Sequence, residues 1–343
     1  MAIQREKYSM RAYRITGAGF DNLKLVEEER PAPGPGEVLV RMRACSLNFR
    51  DLMQVNYASI PSPAQPRPFI PLSDGVGDVV EVGAGVGRVA AGQRVMGNFH
   101  PGWIYGPART LDYGAALGGG VDGMLAEYRV LPQDGVVPVP DYLTYAEAAT
   151  LPCAGVTAWN ALRDVRADQT VLLLGTGGVS TMALQMAHAA GARTIITSSS
   201  DEKLARAREL GADETVNYKD HPEWQEEVKR LTGGIGADHV VEVGGGGTMP
   251  RSVEACAPAG YVHVIGVLTQ GELDPTHLIL KSLNMRGVLV GSRAHFEELC
   301  AFLTQHEIHP PIDRQFAFDE ALEAYRYLES GSHFGKLVIN FPD

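Results

Sequence analysis

The sequence predicts an α/β protein with two domains, one built from short strands and one built on a doubly wound parallel sheet. Three observations carry this prediction. The chain has 343 residues, which is long enough for two separate cores. Residues 1–150 alternate short β-rich runs with Pro- and Gly-rich turns. Residues 151–299 instead alternate apolar, strand-length runs with amphipathic helical segments.

The first predicted domain comprises residues 1–150 and 300–343. Its clearest strand is 37–43, where apolar and polar residues alternate after a Pro- and Gly-rich turn. Repeated short strands of this kind are typical of a small β-barrel. Near the end of the chain, residues 318–328 have helical spacing. Residues 336–341 are predicted to form a strand that returns to this domain.

The second predicted domain, residues 151–299, begins with an apolar run that ends at a glycine-rich turn. Residues 171–174 lead into this turn at Gly175, and residues 179–190 then place small and apolar side chains on one face of a helix. Gly175 permits a tight reversal, and Gly177 leaves the backbone open to a phosphate. The helix N-terminus adds unpaired N–H groups. We therefore predict a dinucleotide-binding turn, the alternative being a glycine turn that holds no nucleotide.

One departure from the usual pattern of this turn is Ser180, which stands where a third glycine is expected. A serine is small enough to allow the helix to pack closely on the strand. Gly191 predicts the end of the helix, and residues 193–197 predict the next strand. Strand, turn, helix and strand in this order indicate a parallel sheet.

Composition excludes several classes of function. A net charge of −11 without a basic stripe argues against a nucleic-acid partner. The longest apolar runs have the length of strands, so we expect no membrane span, and the start of the chain lacks the apolar core of a signal peptide. Four cysteines lie far apart without a Cys-x-x-Cys pair. They indicate a cytoplasmic protein without a structural zinc lobe.

Several motifs in order resemble those of the medium-chain dehydrogenase/reductase superfamily over essentially the whole chain. Segments 33–40, 47–52, 71–83 and 92–95 resemble its GroES-like catalytic domain. Segments 174–180, 210–213 and 216–218 resemble its Rossmann cofactor domain. The chain is most similar to the zinc-free, quinone oxidoreductase-like branch. The resemblance implies an oxidoreductase that binds a nicotinamide cofactor and a small-molecule substrate in the cleft between the domains.

The same resemblance implies that the protein holds no zinc. Zinc-using members have cysteine in place of Asn48, a His-Glu pair in place of Ser73 and Asp74, and cysteine at the position of Cys153. A catalytic zinc needs three protein ligands, and this chain keeps one thiol and a carboxylate. Cys153 is then expected to be a small buried residue beside the cofactor, the alternative being a reactive thiol.

The expected cofactor is NADPH. Proteins that bind NAD place a carboxylate at the tip of the second strand, where this chain has Ser198 and Ser199. Lys203 follows in the next helix and can reach a 2′-phosphate, and Tyr218 resembles the tyrosine that related NADPH enzymes place there. The alternative is that Asp201 bonds the ribose and Lys203 is a solvated surface charge.

Without a metal, a quinone or an α,β-unsaturated carbonyl is the expected substrate, because its reduction spreads the negative charge over a conjugated system. The resemblance makes Asn48 the residue facing the nicotinamide and Tyr57 the candidate proton donor. Alternatively Asn48 caps a turn and Tyr57 only lines the pocket. Arg50 and Asp51 are expected to be structural. A metal-free alcohol or aldehyde reductase, and a nucleotide-binding protein without turnover, are the competing functions.

Further cofactor contacts and the oligomeric state are also predicted by resemblance. A homodimer is expected through the edge of the cofactor-domain sheet, in residues 279–291. The remaining predicted cofactor-binding residues are Asn48, Thr157, Thr176, Gly178, Val179, Gly266, Val267, Leu268, Gly291, Ser292 and Lys336.

Overall fold

The computed structural model describes residues 9–56, 68–108 and 113–342. The strands in chain order are β1 (Ser9–Ile15), β2 (Leu23–Glu29), β3 (Glu37–Leu47), β4 (Asp74–Val82), β5 (Arg94–Gly97), β6 (Tyr128–Pro132), β7 (Val136–Pro138), β8 (Thr170–Leu173), β9 (Arg193–Ser198), β10 (Glu214–Asn217), β11 (Ala237–Glu242), β12 (Cys256–Val264), β13 (Asn284–Gly287), β14 (Ile312–Ala317) and β15 (Lys336–Asn340).

The α-helices are named in the same way. They are α1 (Phe49–Asn56), α2 (Tyr145–Ala148), α3 (Val156–Leu162), α4 (Gly178–Ala189), α5 (Asp201–Glu209), α6 (Trp224–Leu231), α7 (Met249–Ala255), α8 (Thr276–Lys281), α9 (Arg293–His306) and α10 (Ala321–Glu329). None of the helices in the described ranges is long and apolar enough to cross a membrane.

The chain divides into two compact units. The first contains the described residues up to Val156 and from Gly291 onward, and Thr157–Val290 form the second. The sequence-based domain boundaries were expected at residues 150/151 and 299/300. α9 belongs to the first unit because its first residue, Arg293, donates a hydrogen bond to Asp134 Oδ1 at 2.9 Å, next to β7.

The first unit is built on a sheet in the order β14-β15-β3-β4-β5-β7, with β6 also paired to β3. Alternation along β3 buries Val38, Val40 and Met42 in the core and leaves Arg41 partly exposed. β15 pairs antiparallel with β3, with Leu337 opposite Leu47. The last strand of the chain therefore returns to this sheet, as the sequence predicts. Residues 318–328 begin with a short 3-10 turn before α10.

The second unit is a six-stranded parallel sheet in the order β10-β9-β8-β11-β12-β13. The order reverses between β8 and β11, which is the arrangement of a doubly wound dinucleotide-binding fold. Its central strands are buried on both faces, and Leu172, Ile195 and Val240 are fully buried. Because all strands are parallel, their carboxyl ends lie along one edge, where such sheets bind ligands.

The expectation of an edge strand over residues 279–291 is wrong in its extent. Thr276–Lys281 form α8. At the start of this helix, the Thr276 N–H donates a hydrogen bond to Asp274 Oδ1 at 2.9 Å. Ser282 adopts φ 52°, a left-handed conformation that ends this helix. Only Asn284–Gly287 pair with β12, and they form the outermost strand of the sheet.

Candidate cofactor and active sites

The glycine turn between β8 and α4 has the geometry that a bound pyrophosphate needs. Gly175 adopts φ +68°, which a residue with a side chain rarely does. Open space surrounds the position of a Cβ at both Gly175 and Gly177. Gly177 is the N-cap of α4, and no side chain among the described residues caps that helix. The first N–H groups of α4 are thus left for an anion, and a dinucleotide phosphate fits this site.

Ser180 replaces the third glycine by making a specific bond to the strand. It is buried in the first turn of α4, and its Oγ donates to Leu174 O at 2.6 Å. This hydrogen bond fixes the start of the helix against the end of the apolar run. The helix ends as predicted, with Gly191 at φ +78°.

The tip of β9 lies beside the glycine turn at the carboxyl edge of the sheet. Ser198 is buried there, and its carbonyl oxygen accepts the Tyr218 N–H at 3.0 Å. Ser200 caps α5 by accepting the Lys203 N–H at 3.4 Å, which places Lys203 in the first turn of that helix. Asp201 accepts from Asn217 Nδ2 at 2.8 Å. Its carboxylate is therefore already engaged by a side chain of the neighbouring strand.

A second loop closes the same edge at the ends of β11 and β12. Gly266 lies so close to Val243 that a Cβ there would meet the Val243 carbonyl oxygen, so only glycine fits. Val267 and Leu268 are exposed beyond it. Glu242 is buried and accepts the Gly244 N–H at 2.7 Å and the Gly245 N–H at 3.0 Å. One carboxylate, which sequence reasoning missed, thus holds the glycine-rich loop 244–247.

In the first unit, a buried polar cluster forms where β3, β4 and β15 meet α1. The Lys336 ammonium donates to Asn48 Oδ1 at 2.6 Å and also to the Leu47 carbonyl oxygen. It lies 3.9 Å from Asp74 Oδ2. Asn48 immediately precedes α1, and its backbone N–H donates to Asp51 Oδ2 at 2.7 Å.

Burial shifts the pKa values of the carboxyl groups and the thiol in this cluster. Asp74 accepts from Ser73 Oγ at 2.7 Å and from the Cys153 N–H at 3.3 Å. Burial raises the pKa of Asp74, and the nearby Lys336 opposes that rise. Burial also raises the pKa of the Cys153 thiol, which is therefore a neutral thiol. It raises the pKa of Asp51 to about 6.

The charged residues Arg50 and Asp51 lie next to each other in α1, and Arg50 makes contacts that support the local structure. Arg50 donates to the Leu117 carbonyl oxygen at 2.9 Å, and its guanidinium lies 4.6 Å from the centre of the Phe99 ring. Its distance to Asp51 Oδ1 is 4.0 Å. This agrees with the expectation that Arg50 and Asp51 support the fold around Asn48.

The predicted site residues fall into separate groups. One group lies at one edge of the second unit. It consists of the residues of the glycine turn together with Ser198, Ser199, Lys203, Tyr218 and residues 266–268. Thr157 is buried in the first turn of α3. Gly291 and Ser292 belong to the first unit, where Ser292 caps α9 by accepting the His295 N–H at 3.3 Å. Tyr57 lies outside the described residues.

Comparison with known proteins identifies the superfamily to which the chain belongs. Residues 34–141 match the alcohol dehydrogenase GroES-like domain, and residues 178–305 match the zinc-binding dehydrogenase family. The chain is 42% identical over 334 residues to the zinc-type alcohol dehydrogenase-like protein C1773.06c of Schizosaccharomyces pombe, covering 94% of this chain and 96% of that protein. The chain belongs to the medium-chain dehydrogenase/reductase superfamily. It is accordingly an oxidoreductase with a GroES-like unit and a Rossmann unit.

Solved structures of this superfamily are similar over the whole chain. A putative alcohol dehydrogenase from Sinorhizobium meliloti 1021 superposes with a TM-score of 0.91 at 41% identity, covering 97% of this chain and 99% of that one. Mycobacterial Rv1454c, solved in complex with NADPH, superposes with a TM-score of 0.80 at 26% identity, covering 96% of this chain and 99% of that one.

The residues at the zinc-ligand positions do not fit a zinc ion. Asn48 offers an amide oxygen, which the Lys336 ammonium already binds. Asp74 is engaged by Ser73 and lies beside the same ammonium. A zinc ion needs anionic or imidazole ligands that are free to bind it. Among the described residues, no group of three His, Cys, Asp or Glu side chains could hold a metal.

Proposed function

We propose that this oxidoreductase reduces a quinone or an α,β-unsaturated carbonyl with NADPH and without a metal ion. The observation that carries the proposal is the Lys336 ammonium, which lies against Asn48 and Asp74, two of the positions that zinc-using members fill with ligands. A side chain of the protein thus supplies a positive charge to this cluster.

The chemistry favours a conjugated substrate. NADPH, when bound, supplies a hydride. Attack on a simple ketone leaves a localised alkoxide, which needs a metal ion or a strong, well-placed acid. Attack on a conjugated system leaves an enolate or hydroquinone anion, whose spread charge an amide N–H can stabilise. The side-chain amide of Asn48, which also hydrogen-bonds to the Asp74 carboxylate, is the donor that we assign to this oxygen.

The choice of NADPH rests on the tip of β9. No carboxylate stands at Ser198, and Asp201, the alternative ribose ligand, is engaged by Asn217. Ser200 holds the backbone of Lys203 in the first turn of α5, from which an ammonium can reach a 2′-phosphate. The NADPH complex of the mycobacterial relative is consistent with this assignment.

A metal-free alcohol dehydrogenase or aldehyde reductase is the second candidate. Its reaction class, though not the lack of a metal, is favoured by the descriptions of the relatives from Schizosaccharomyces pombe and Sinorhizobium meliloti, both of which name an alcohol dehydrogenase. A nucleotide-binding protein without turnover is the third.

One kinetic panel separates these candidates. The purified protein is assayed for oxidation of NADPH and NADH with 1,2-naphthoquinone, 1-octen-3-one and hexanal, and its zinc content is measured in parallel. The proposal predicts turnover of the first two substrates, a preference for NADPH and substoichiometric zinc. Turnover of hexanal alone would favour the second candidate. Tight NADPH binding with no turnover of any substrate would favour the third.

We further propose that two copies of the chain pair through the edge strand β13. Within the described part of the chain, this strand is bonded on one side only, to β12. The adjoining α8 exposes Ile279 and Leu280 by 77% and 76%, and Met285 and Leu289 are also exposed. An apolar patch beside an open strand edge is typical of an interface between copies.

A further inference from the structure

We propose that Glu242 is a positioning residue for the nicotinamide half of the bound cofactor. Its carboxylate and its backbone carbonyl oxygen hold the two loops that follow β11 and β12, loop 244–247 and loop 265–269. The proposal rests on the proposed function, because it assumes that the glycine turn at Gly175 binds NADPH. Glu242 acts through the two loops rather than by contact with the cofactor.

The side chain of Glu242 fixes the conformation of loop 244–247. Its carboxylate is fully buried at the end of β11. One oxygen, Oε1, accepts the Gly244 N–H at 2.7 Å, the Gly245 N–H at 3.0 Å and the Thr248 hydroxyl at 2.7 Å. The other oxygen, Oε2, accepts the Ser252 hydroxyl on α7. Four donors therefore converge on one carboxylate, which ties the loop to the helix that follows it.

The backbone of Glu242 holds the other loop. Its carbonyl oxygen accepts the Ile265 N–H at 2.9 Å and the Gly266 N–H at 3.1 Å. The two loops also bind each other, because the Thr269 N–H donates to the Gly244 carbonyl oxygen at 3.1 Å and the Thr269 hydroxyl donates to the same oxygen at 2.8 Å. Both loops thus form one unit with Glu242 at its base.

Loop 244–247 has the glycines of a phosphate-binding turn but not its free backbone. All four of its N–H groups already donate hydrogen bonds, two to Glu242 and two to Thr269. A Cβ at any of its glycines would lie within 2.9 Å of an atom of another residue, whereas Gly175 and Gly177 have open space around that position. An anion therefore suits the turn at Gly175, and loop 244–247 offers a packed surface instead.

The order of the strands assigns these loops to the nicotinamide half of the cofactor. A dinucleotide lies across the point where the strand order reverses, which is between β8 and β11. The tip of β9, on one side of this point, is the proposed site of the adenosine ribose. The loops after β11 and β12 lie on the other side. Between Gly266 and Thr269, the side chains of Val267 and Leu268 are 64% and 49% exposed, and they are the apolar surface that we assign to the nicotinamide ring.

The test compares two ligands by isothermal titration calorimetry. NADPH carries both halves of the cofactor, and 2′,5′-ADP carries the adenosine half with its phosphates and no nicotinamide. Glu242→Leu removes the acceptors at a similar side-chain size. Glu242→Gln keeps an oxygen for the two N–H groups and the Thr248 hydroxyl, and its NH₂ group can donate to Ser252. Glu254→Leu is the matched control, because Glu254 lies on α7 and pairs with Lys229 at 2.6 Å.

We expect Glu242→Leu to weaken NADPH binding by about tenfold and to leave the dissociation constant of 2′,5′-ADP unchanged. Its kcat with 1,2-naphthoquinone at saturating NADPH should also fall by about tenfold, since the ring is no longer held in one orientation. Glu242→Gln should retain NADPH affinity within about twofold, and Glu254→Leu should bind both ligands like the parent protein. General damage to the fold would weaken both ligands equally. Equal weakening, or unchanged NADPH binding by Glu242→Leu, would overturn the inference.

A milder variant keeps the test decisive if Glu242→Leu does not fold, because that change leaves four buried donors without their acceptor. Thr248→Val removes one of these donors at nearly constant size. It should weaken NADPH by about threefold and 2′,5′-ADP not at all. Binding of NADPH as tight as that of the parent protein would count against the role of Glu242.

The inference and the proposed function fail separately. A selective loss of NADPH binding in Glu242→Leu, with no quinone turnover by the parent protein, would refute the reaction and uphold the role of Glu242. Quinone turnover by the parent protein, with a Glu242→Leu variant that binds both ligands normally, would do the reverse. If the parent protein prefers NADH, the cofactor assignment is wrong, and NADH with 5′-ADP then forms the ligand pair that decides the role of Glu242.

Discussion

Replacing Asp51 with asparagine should make the protein more stable at neutral pH, by an amount that grows with pH. Asp51 is fully buried, and that burial raises its pKa from 3.8 to about 6, against the opposing charge of Arg50. The difference of about two units, at about 1.4 kcal/mol each, corresponds to roughly 3 kcal/mol of unfolding free energy. An asparagine oxygen can still accept the Asn48 N–H that Asp51 Oδ2 accepts.

The direction of this pH dependence follows from whether the folded or the unfolded state binds the Asp51 proton more tightly. Between pH 4 and 6 the folded protein keeps Asp51 protonated and the unfolded chain does not, so the contribution of Asp51 to stability is lost as pH rises through about 6. Urea unfolding of the parent protein and of Asp51→Asn from pH 4 to 8 measures this change, because groups that do not interact with Asp51 cancel in the difference. The advantage of Asp51→Asn should rise by about 2.4 kcal/mol between pH 4 and 7. A difference that does not change with pH, or that falls as pH rises, would refute the reasoning.

Three other predictions concern the cofactor site and the interface. Gly177→Ala should fold as stably as the control Gly87→Ala, since both have open space around the Cβ, yet bind NADPH at least about tenfold more weakly in a fluorescence titration. Ser198→Asp should lower kcat/KM for NADPH relative to NADH by about thirtyfold, since a carboxylate repels the 2′-phosphate; an unchanged ratio would contradict the assignment. Leu280→Glu should shift the protein to a monomer in light scattering, and a persistent dimer would place the interface elsewhere.

The Rossmann unit was predictable from the sequence because its signals are local. The apolar run before Gly175 and the helix stop at Gly191 report on neighbouring residues, and both were confirmed. The edge strand was placed too early because apolar residues such as Ile279 and Leu280 suit a helix as well as a strand. What decides between them is the left-handed conformation of Ser282, which is not visible as a pattern.

The arrangement of the polar cluster was not predictable, although its residues were named. Asn48 and Lys336 are separated by 288 positions, and their contact depends on the pairing of β15 with β3. The resemblance named the two residues separately and gave no sign that they touch. The support that Glu242 gives to loop 244–247 was missed for another reason. A single glutamate at the end of a strand carries no motif, and its importance lies in being buried.

The most direct test of metal-free conjugate reduction is the fate of the hydride. Protein freed of zinc with a chelator is given NADPH deuterated at the transferred position of C4 and 1-octen-3-one, and the product is examined by NMR. We predict deuterium at the β-carbon of a saturated ketone, at the rate of the untreated protein. Deuterium on the carbonyl carbon, or a reaction that stops with zinc removal and returns when zinc is added, would contradict the proposal.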